Sequence, residues 1–214
     1  MSVVFAAVLS LLAAPSFAKA TEGEQDKPTI SVDYGEVPDV KEWAEKARDL
    51  CEKWYPTIAD ALASKDFTPP RDVKLVFKDE KKGIAYTTGA KITIVADWIR
   101  KHPDDFGMVI HELCHVIQSY RGGVGWLTEG IADYIRYFKY EPKPAPPKIG
   151  AKATYKDGYK TSATFLAWIE KAKDKDIIRK LNERLRTGKY KEEQFTEWTG
   201  SDLDTLWKEF IAAQ

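Results

Sequence analysis

Two histidines and a glutamate within residues 109–118 have the types and spacing of a catalytic metal site. His111 and His115 are four residues apart, so on a helix their imidazoles lie on one face and can point at one ion. Imidazole nitrogens bind zinc at about 2.0–2.1 Å. Glu112 is displaced by about 100° around the helix from His111, which suits it to hold a water molecule beside the ion rather than the ion itself. The His-Glu-x-x-His pattern is short, so its context must support it.

A catalytic zinc usually takes three protein ligands, and a third histidine is not available at the established spacing. In His-Glu-x-x-His-x-x-Gly-x-x-His the glycine position would be Gln118 and the last histidine position would be Arg121. The only other histidine, His102, lies upstream and directly before Pro103. The third ligand is therefore expected to be a carboxylate.

The segment 126–133 supplies two carboxylates after a chain reversal at Gly122 and Gly123. Glu129 and Asp133 are four residues apart and face the same way on a helix. We assign Glu129 to the metal. We assign Asp133 to a hydrogen bond with the second nitrogen of a ligand histidine, which metal sites commonly require. The reverse assignment of these two carboxylates stays open.

The elements that must position these residues follow from hydrophobic periodicity. Alternating, β-rich segments predict strands at 29–34, 73–78, 83–87 and 92–95. Helical periodicity predicts helices at 40–62, 96–101, 106–120, 126–140, 161–172, 176–186, 192–198 and 202–212. Strands early and helices late indicate an α+β domain with a small mixed sheet of about four strands, the active-site helix and a helical C-terminal half.

Several helix boundaries are predicted from single residues. Pro56 is expected to kink the first long helix near Trp54. Asp104 or Asp105 is expected to cap the active-site helix, and Gly122 with Gly123 to end it. Ser201 is expected to cap the last helix. Gln118 could contact substrate or cap a turn, and we favour the turn.

Residues 1–20 have the features of a signal peptide. An apolar run of about a dozen residues, too short to span a bilayer, is followed by Pro15 and an Ala-x-Ala site. Cleavage after Ala18 or after Ala20 is possible. The remaining residues 21–214 are expected to form one domain, secreted to an extracellular or periplasmic compartment.

The composition limits the classes of partner. With 33 basic and 33 acidic residues among 214, the chain gives no electrostatic case for binding nucleic acid or an acidic membrane. No later segment approaches the roughly 20 apolar residues of a membrane span. We expect a monomer that acts on a peptide or protein substrate. Cys51 and Cys114 could form a disulfide in an oxidising compartment or remain free in the core.

Four segments resemble the basic secretory protein family of zincin-like peptidases. They are His111-Glu112-Leu113-x-His115-Val116-x-Gln118, Glu129-Gly130-Ile131-Ala132-Asp133-Tyr134-x-Arg136, Ala85-Tyr86-Thr87-Thr88-Gly89 and Gly158-Tyr159-x-Thr161-x-Ala163-x-Phe165-Leu166. The stretch 126–130 also resembles the segment that carries the glutamate ligand of gluzincin aminopeptidases. The resemblance implies a zincin-like fold and a secreted zinc-dependent peptidase. The near-neutral charge departs from the family name.

The predicted mechanism is hydrolysis of peptide bonds with one catalytic zinc ion and Glu112 as general base. A tetrahedral oxyanion needs one more donor, and Tyr159 is our first choice, with an ordinary half-buried aromatic as the alternative. By resemblance and by position, the segment Gly83, Ile84, Ala85 and Tyr86, continuing to Thr87, is the edge to which substrate would add as a strand. The alternatives are a non-catalytic zinc-binding protein and glycan binding through the tryptophans, which we interpret as core.

Overall fold

The structure, a computed structural model, describes residues 27–141, 148–150 and 152–214. The predicted signal peptide and its two cleavage sites lie outside the described residues. The domain boundary at residue 21 therefore stays a prediction.

The four strands described in the first half of the chain form one mixed sheet. Its strands are β1 (Thr29–Asp33), β2 (Asp72–Lys78), β3 (Ala85–Thr88) and β4 (Lys91–Val95), in the order β1-β2-β4-β3. β1, β2 and β4 are parallel, and β3 runs antiparallel to β4 at the edge. Gly89, with a φ of +60°, makes the tight turn between β3 and β4 that a side chain would resist.

Eight α-helices surround and follow this sheet in the described residues. They are α1 (Lys41–Ala61), α2 (Ala96–Lys101), α3 (Gly107–Gln118), α4 (Gly125–Tyr134), α5 (Tyr159–Ala172), α6 (Ile177–Arg186), α7 (Gln194–Thr199) and α8 (Leu203–Ala212). The expected α+β class, the four strands and the helical C-terminal half are confirmed. Within the same residues, no helix is long and apolar enough to cross a membrane.

The first helix connects β1 to β2 and anchors the start of α3. Pro56, the expected site of a kink, lies inside α1, and the helix runs on to Ala61. The Trp43 ring stacks on Phe106 with ring centroids 4.6 Å apart, and its Nε1 donates to the carbonyl oxygen of Pro103 at 2.8 Å. This aromatic contact holds the turn from which α3 begins.

Three of the differences between predicted and observed boundaries concern β3, α4 and α8. The edge strand begins at Ala85 rather than at Gly83, because Gly83 takes a φ of +92° that extended backbone does not use. The helix predicted over 126–140 is α-helical only to Tyr134 and continues as a π-helix to Tyr140. Asp202, not Ser201, caps α8, since its carboxylate accepts from the backbone N–H of Thr205 at 2.8 Å.

Both cysteines are free and completely buried. Cys51 lies on α1 and Cys114 on α3. The disulfide alternative is therefore not realised in this structure, and both thiols pack as small hydrophobic groups.

Candidate active site

The third helix carries the histidines and is almost entirely enclosed. It lies against α1, α4, β3 and β4, and of its residues only His115 is not fully buried. At the N-terminus of α3, Asp105 rather than Asp104 accepts a hydrogen bond from the backbone N–H of Met108, at 3.3 Å. The helix ends at Ser119, whose φ of +44° stops it before the glycines that were expected to end it. At this C-terminal end, Arg186 of α6 donates to the carbonyl oxygens of the last turn of α3.

The fourth helix brings the carboxylates to the histidines because it packs tightly on α5. A Cβ built on Gly130 would lie 2.8 Å from Cβ of Ser162, so only glycine permits this approach. Glu129 is the residue before Gly130 and Asp133 lies one turn after Glu129, so both face α3.

Three potential ligand atoms converge at this place. Nε2 of His111 and Nε2 of His115 are 3.0 Å apart. Oε2 of Glu129 lies 3.2 Å from the first nitrogen and 3.4 Å from the second. In the described residues this is the one group of three or more such side chains whose ligand atoms all lie within 4.8 Å of one another. The three residues could therefore hold a metal ion.

Both histidines are oriented by an acceptor on their other ring nitrogen. Nδ1 of His111 lies 2.7 Å from Oδ1 of Asp133, and Nδ1 of His115 lies 2.7 Å from Oε1 of Gln118. The Gln118 amide has only one sensible orientation, because its Nε2 donates to the carbonyl oxygen of Thr128 at 3.0 Å. When the imidazoles are neutral, each Nδ1 carries the proton and donates it, and each Nε2 presents a lone pair to the common point. A protonated His111 ring also donates from Nε2 to Glu129.

The electrostatics of the cluster also favour a cation there. Burial alone lowers the pKa of His111, but hydrogen bonds to Asp133 and Glu129 outweigh it and raise that pKa to about 9. Burial alone raises the pKa of Glu129, but hydrogen bonds from His111 and His115 hold it at about 2. Both shifts stabilise positive charge beside an ionised carboxylate, and a bound metal ion would supply that charge.

Glu112 is held beside the cluster by the edge strand. The hydroxyl of Thr87 lies 2.7 Å from Oε2 of Glu112 and 3.1 Å from its backbone carbonyl oxygen. Glu112 as a residue is 6 % exposed, and its Oε2 accepts from a neutral donor rather than from a cation. It is thus positioned and able to accept a proton.

A family match covers most of the chain. Residues 36–210 match the model of the BSP family, described as peptidase of plants and bacteria. The chain belongs to this family. The resemblance to basic secretory protein peptidases in the sequence is thereby confirmed. A search of the curated proteins and a search of the solved structures each found no match.

Tyr159 lies at the rim of the candidate site. It is the first residue of α5, is 58 % exposed and has a φ of +46°, an uncommon conformation for a bulky residue. Its ring stacks on His111 with centroids 6.1 Å apart. The carboxylate of Glu129, together with partial burial, raises the pKa of the Tyr159 hydroxyl above its ordinary value.

The cluster opens into a cleft of about 1080 Å³. β3, α3, α4 and the first turn of α5 form its walls. Four large hydrophobic side chains are exposed among the described residues, and Ile84, Tyr86 and Tyr159 of these four line the cleft. Such a concentration of exposed apolar surface is typical of a binding site.

The sequence did not predict the contacts of two residues at the candidate site. Gln118, favoured above as a turn residue, instead orients His115 and ties it to α4. Its position three residues after His115 on the helix is a signal that could have been used. Thr87 was placed in the edge strand and in a family-like segment, but its contact with Glu112 was not predicted, because that contact joins a strand to a helix 25 residues away.

Proposed function

We propose that this chain is a secreted, zinc-dependent peptidase of zincin-like fold that hydrolyses peptide bonds with Glu112 as general base. The observation that supports this most strongly is the convergence of Nε2 of His111, Nε2 of His115 and an oxygen of Glu129, with both histidines oriented from behind. Two histidines and a glutamate are a recurrent ligand set of catalytic zinc.

The spacing of the three atoms is compatible with zinc. A tetrahedral ion with bonds of about 2.0–2.1 Å separates its ligands by roughly 3.3 Å. The three observed separations are 3.0, 3.2 and 3.4 Å. Zinc, when bound, supplies Lewis acidity that lowers the pKa of water and polarises a carbonyl.

The protein side chains supply the rest of the proposed chemistry. Glu112 accepts the proton of the attacking water and later delivers it to the leaving amine, a role worth about 10²–10⁴-fold in rate. Thr87 keeps that carboxylate in place through its hydroxyl. Tyr159 donates its hydroxyl proton in a hydrogen bond to the oxyanion that forms.

The edge strand β3 is the proposed docking strand for the substrate backbone. The N–H of Val95 donates to the carbonyl oxygen of Ile84 at 2.9 Å, so these two residues form a hydrogen-bonded pair between the strands. Because such pairs alternate along an antiparallel ladder, the N–H and C=O groups of Ala85 and Thr87 point to the free edge. An extended peptide could pair with them in the way that β-augmentation requires.

The test is the substitution Glu112→Gln in the chain starting at residue 21. We expect the variant to retain one equivalent of zinc and to lose hydrolysis of a mixed peptide library, read by mass spectrometry. Glu197→Gln, an exposed carboxamide substitution on α7, is the matched control and should cleave as the wild type does. A wild type that binds zinc but cleaves no peptide would be a non-catalytic zinc-binding protein instead.

A further inference from the structure

Two cations line one end of the cleft and share an aromatic ring. Cζ of Arg136 lies 4.9 Å from the ring centroid of Tyr137, and Nζ of Lys160 lies 5.0 Å from the same centroid. All three side chains line the cleft. Cation–π contacts of this kind hold an ammonium group against a wall without neutralising it.

The two cations differ in how their charge is balanced. Nη2 of Arg136 lies 2.6 Å from Oδ1 of Asp105, and Nε of Arg136 lies 3.6 Å from Oε1 of Glu141. Lys160 forms no ion pair with any carboxylate in the part of the chain that the structure describes, and its recorded side-chain contact is the ring of Tyr137. Its positive charge therefore remains for a group that enters the cleft.

Lys160 lies on the His111 side of the cluster. It follows Tyr159, whose ring stacks on His111, and Tyr137 lies one helical turn after Asp133, which hydrogen-bonds His111. A substrate paired with β3 and held at the cluster would pass this end of the cleft within a few residues of the scissile bond. Around the cluster itself Glu112, Glu129 and Asp133 are all acidic, so Lys160 is positioned to attract an anionic group that the rest of the site would repel.

We propose that Lys160 is a specificity-determining residue that favours substrates with a carboxylate near the scissile bond, on the His111 side. The carboxylate can be the side chain of Asp or Glu or a free C-terminus, because both present the same group to the ammonium. This inference rests on the proposed peptidase function.

The test compares peptides that differ in one carboxylate. One arm replaces Glu by Gln at successive positions around the cleaved bond, and the other replaces a free C-terminus by an amide. Wild type should show a kcat/KM about fivefold higher for the carboxylate form, the upper end for a partly exposed charge pair, and less at high salt. The arm that shows the preference identifies the source of the carboxylate.

Variants of two lysines decide whether the preference comes from Lys160. Lys160→Met should abolish it, and Lys160→Glu should reverse it. The glutamate variant should fold well, because an acidic residue is favoured in the first turn of a helix. Lys156→Met is the matched control: Lys156 lies 5.4 Å from the Tyr155 ring centroid in the same kind of contact but outside the cleft, so the preference should persist.

A binding measurement separates this inference from the proposed function. The same peptides are titrated into Glu112→Gln with and without Lys160→Met, which requires no turnover. Carboxylate-selective binding that depends on Lys160 would support the inference even if wild type cleaves no peptide. The lack of cleavage would overturn only the peptidase assignment. Cleavage or binding without any carboxylate preference, or a preference that survives Lys160→Met, would overturn the inference, as would the absence of binding.

Discussion

The hydrogen bond from His111 to Asp133 provides a graded test of the metal site. Oδ1 of Asp133 lies 2.7 Å from Nδ1 of His111, and the carboxylate side chain is only 7 % exposed. Asp133→Asn retains an oxygen that can accept this hydrogen bond but removes its charge. Asp133→Ala removes the acceptor and leaves a buried N–H without a partner.

The magnitudes follow from what each change removes. A hydrogen bond to a charged group contributes about 1.5–3 kcal/mol and a neutral one about 0.5–1.5 kcal/mol, so the asparagine variant should lose about 1.4 kcal/mol, or about tenfold in zinc affinity. The alanine variant should approach the upper limit of about 100-fold that is typical when such an orienting partner is lost. The burial of Asp133 justifies these values without a large reduction for solvent screening.

Competition for zinc with a chromophoric chelator measures the affinities, and circular dichroism checks that each variant is folded. Asp174→Asn is the control, because the Asp174 side chain is 9 % exposed and pairs with Lys180 at 2.7 Å, far along the chain from the cluster. It should change stability but not zinc affinity. Wild-type affinity in both Asp133 variants would refute the proposal that this carboxylate orients a ligand histidine.

Two further predictions concern the core around the site. Burial raises the pKa of Cys51 from 9.0 to about 12, so at pH 8 the thiolate fraction should fall from about one in ten to about one in ten thousand molecules. Because the thiol is also inaccessible, alkylation read by mass spectrometry should be at least about a thousandfold slower in the native than in the denatured chain, and rapid native labelling would contradict this prediction. Because the folded pKa is the higher one, this contribution to stability is present below about pH 9 and is lost as the pH rises towards 12. Gly130→Ala should lower the free energy of unfolding by about 1–3 kcal/mol and weaken zinc binding, because the added Cβ would push α4 away from α5. Gly125→Ala is the control and should change neither quantity, since its Cβ would meet nothing within 4 Å. Equal melting temperatures for the two variants would show that the close approach of α4 to α5 does not depend on glycine at position 130.

Much of the local structure could be predicted because it depends on near neighbours in the chain. The four-residue spacing of His111 and His115 determines that they share a helix face, whatever surrounds that helix. The same spacing relates Glu129 to Asp133. The structure brings Glu129 to the imidazole Nε2 atoms and Asp133 to an Nδ1 atom, in the assignment favoured from the sequence.

Helix and strand ends were predicted less well, because their signals compete over short distances. Ser119 adopts the left-handed conformation that ends α3 three residues before the first glycine expected to do so. Asp202 and Ser201 are both good capping residues, and the sequence alone does not say which of two neighbours will accept the N–H.

The sequence by itself therefore determined which side chains could bind a metal, which one could act as base, and that strands precede helices. Only the tertiary structure decided which groups accept hydrogen bonds from Nδ1 of the two histidines. It also decided that Thr87 of the edge strand binds Glu112, and that Lys160 lines the cleft at the metal-ligand cluster. Each of these contacts joins elements whose separation depends on how tightly helices and sheet pack, as at Gly130, and that distance is a property of the whole core rather than of any local spacing.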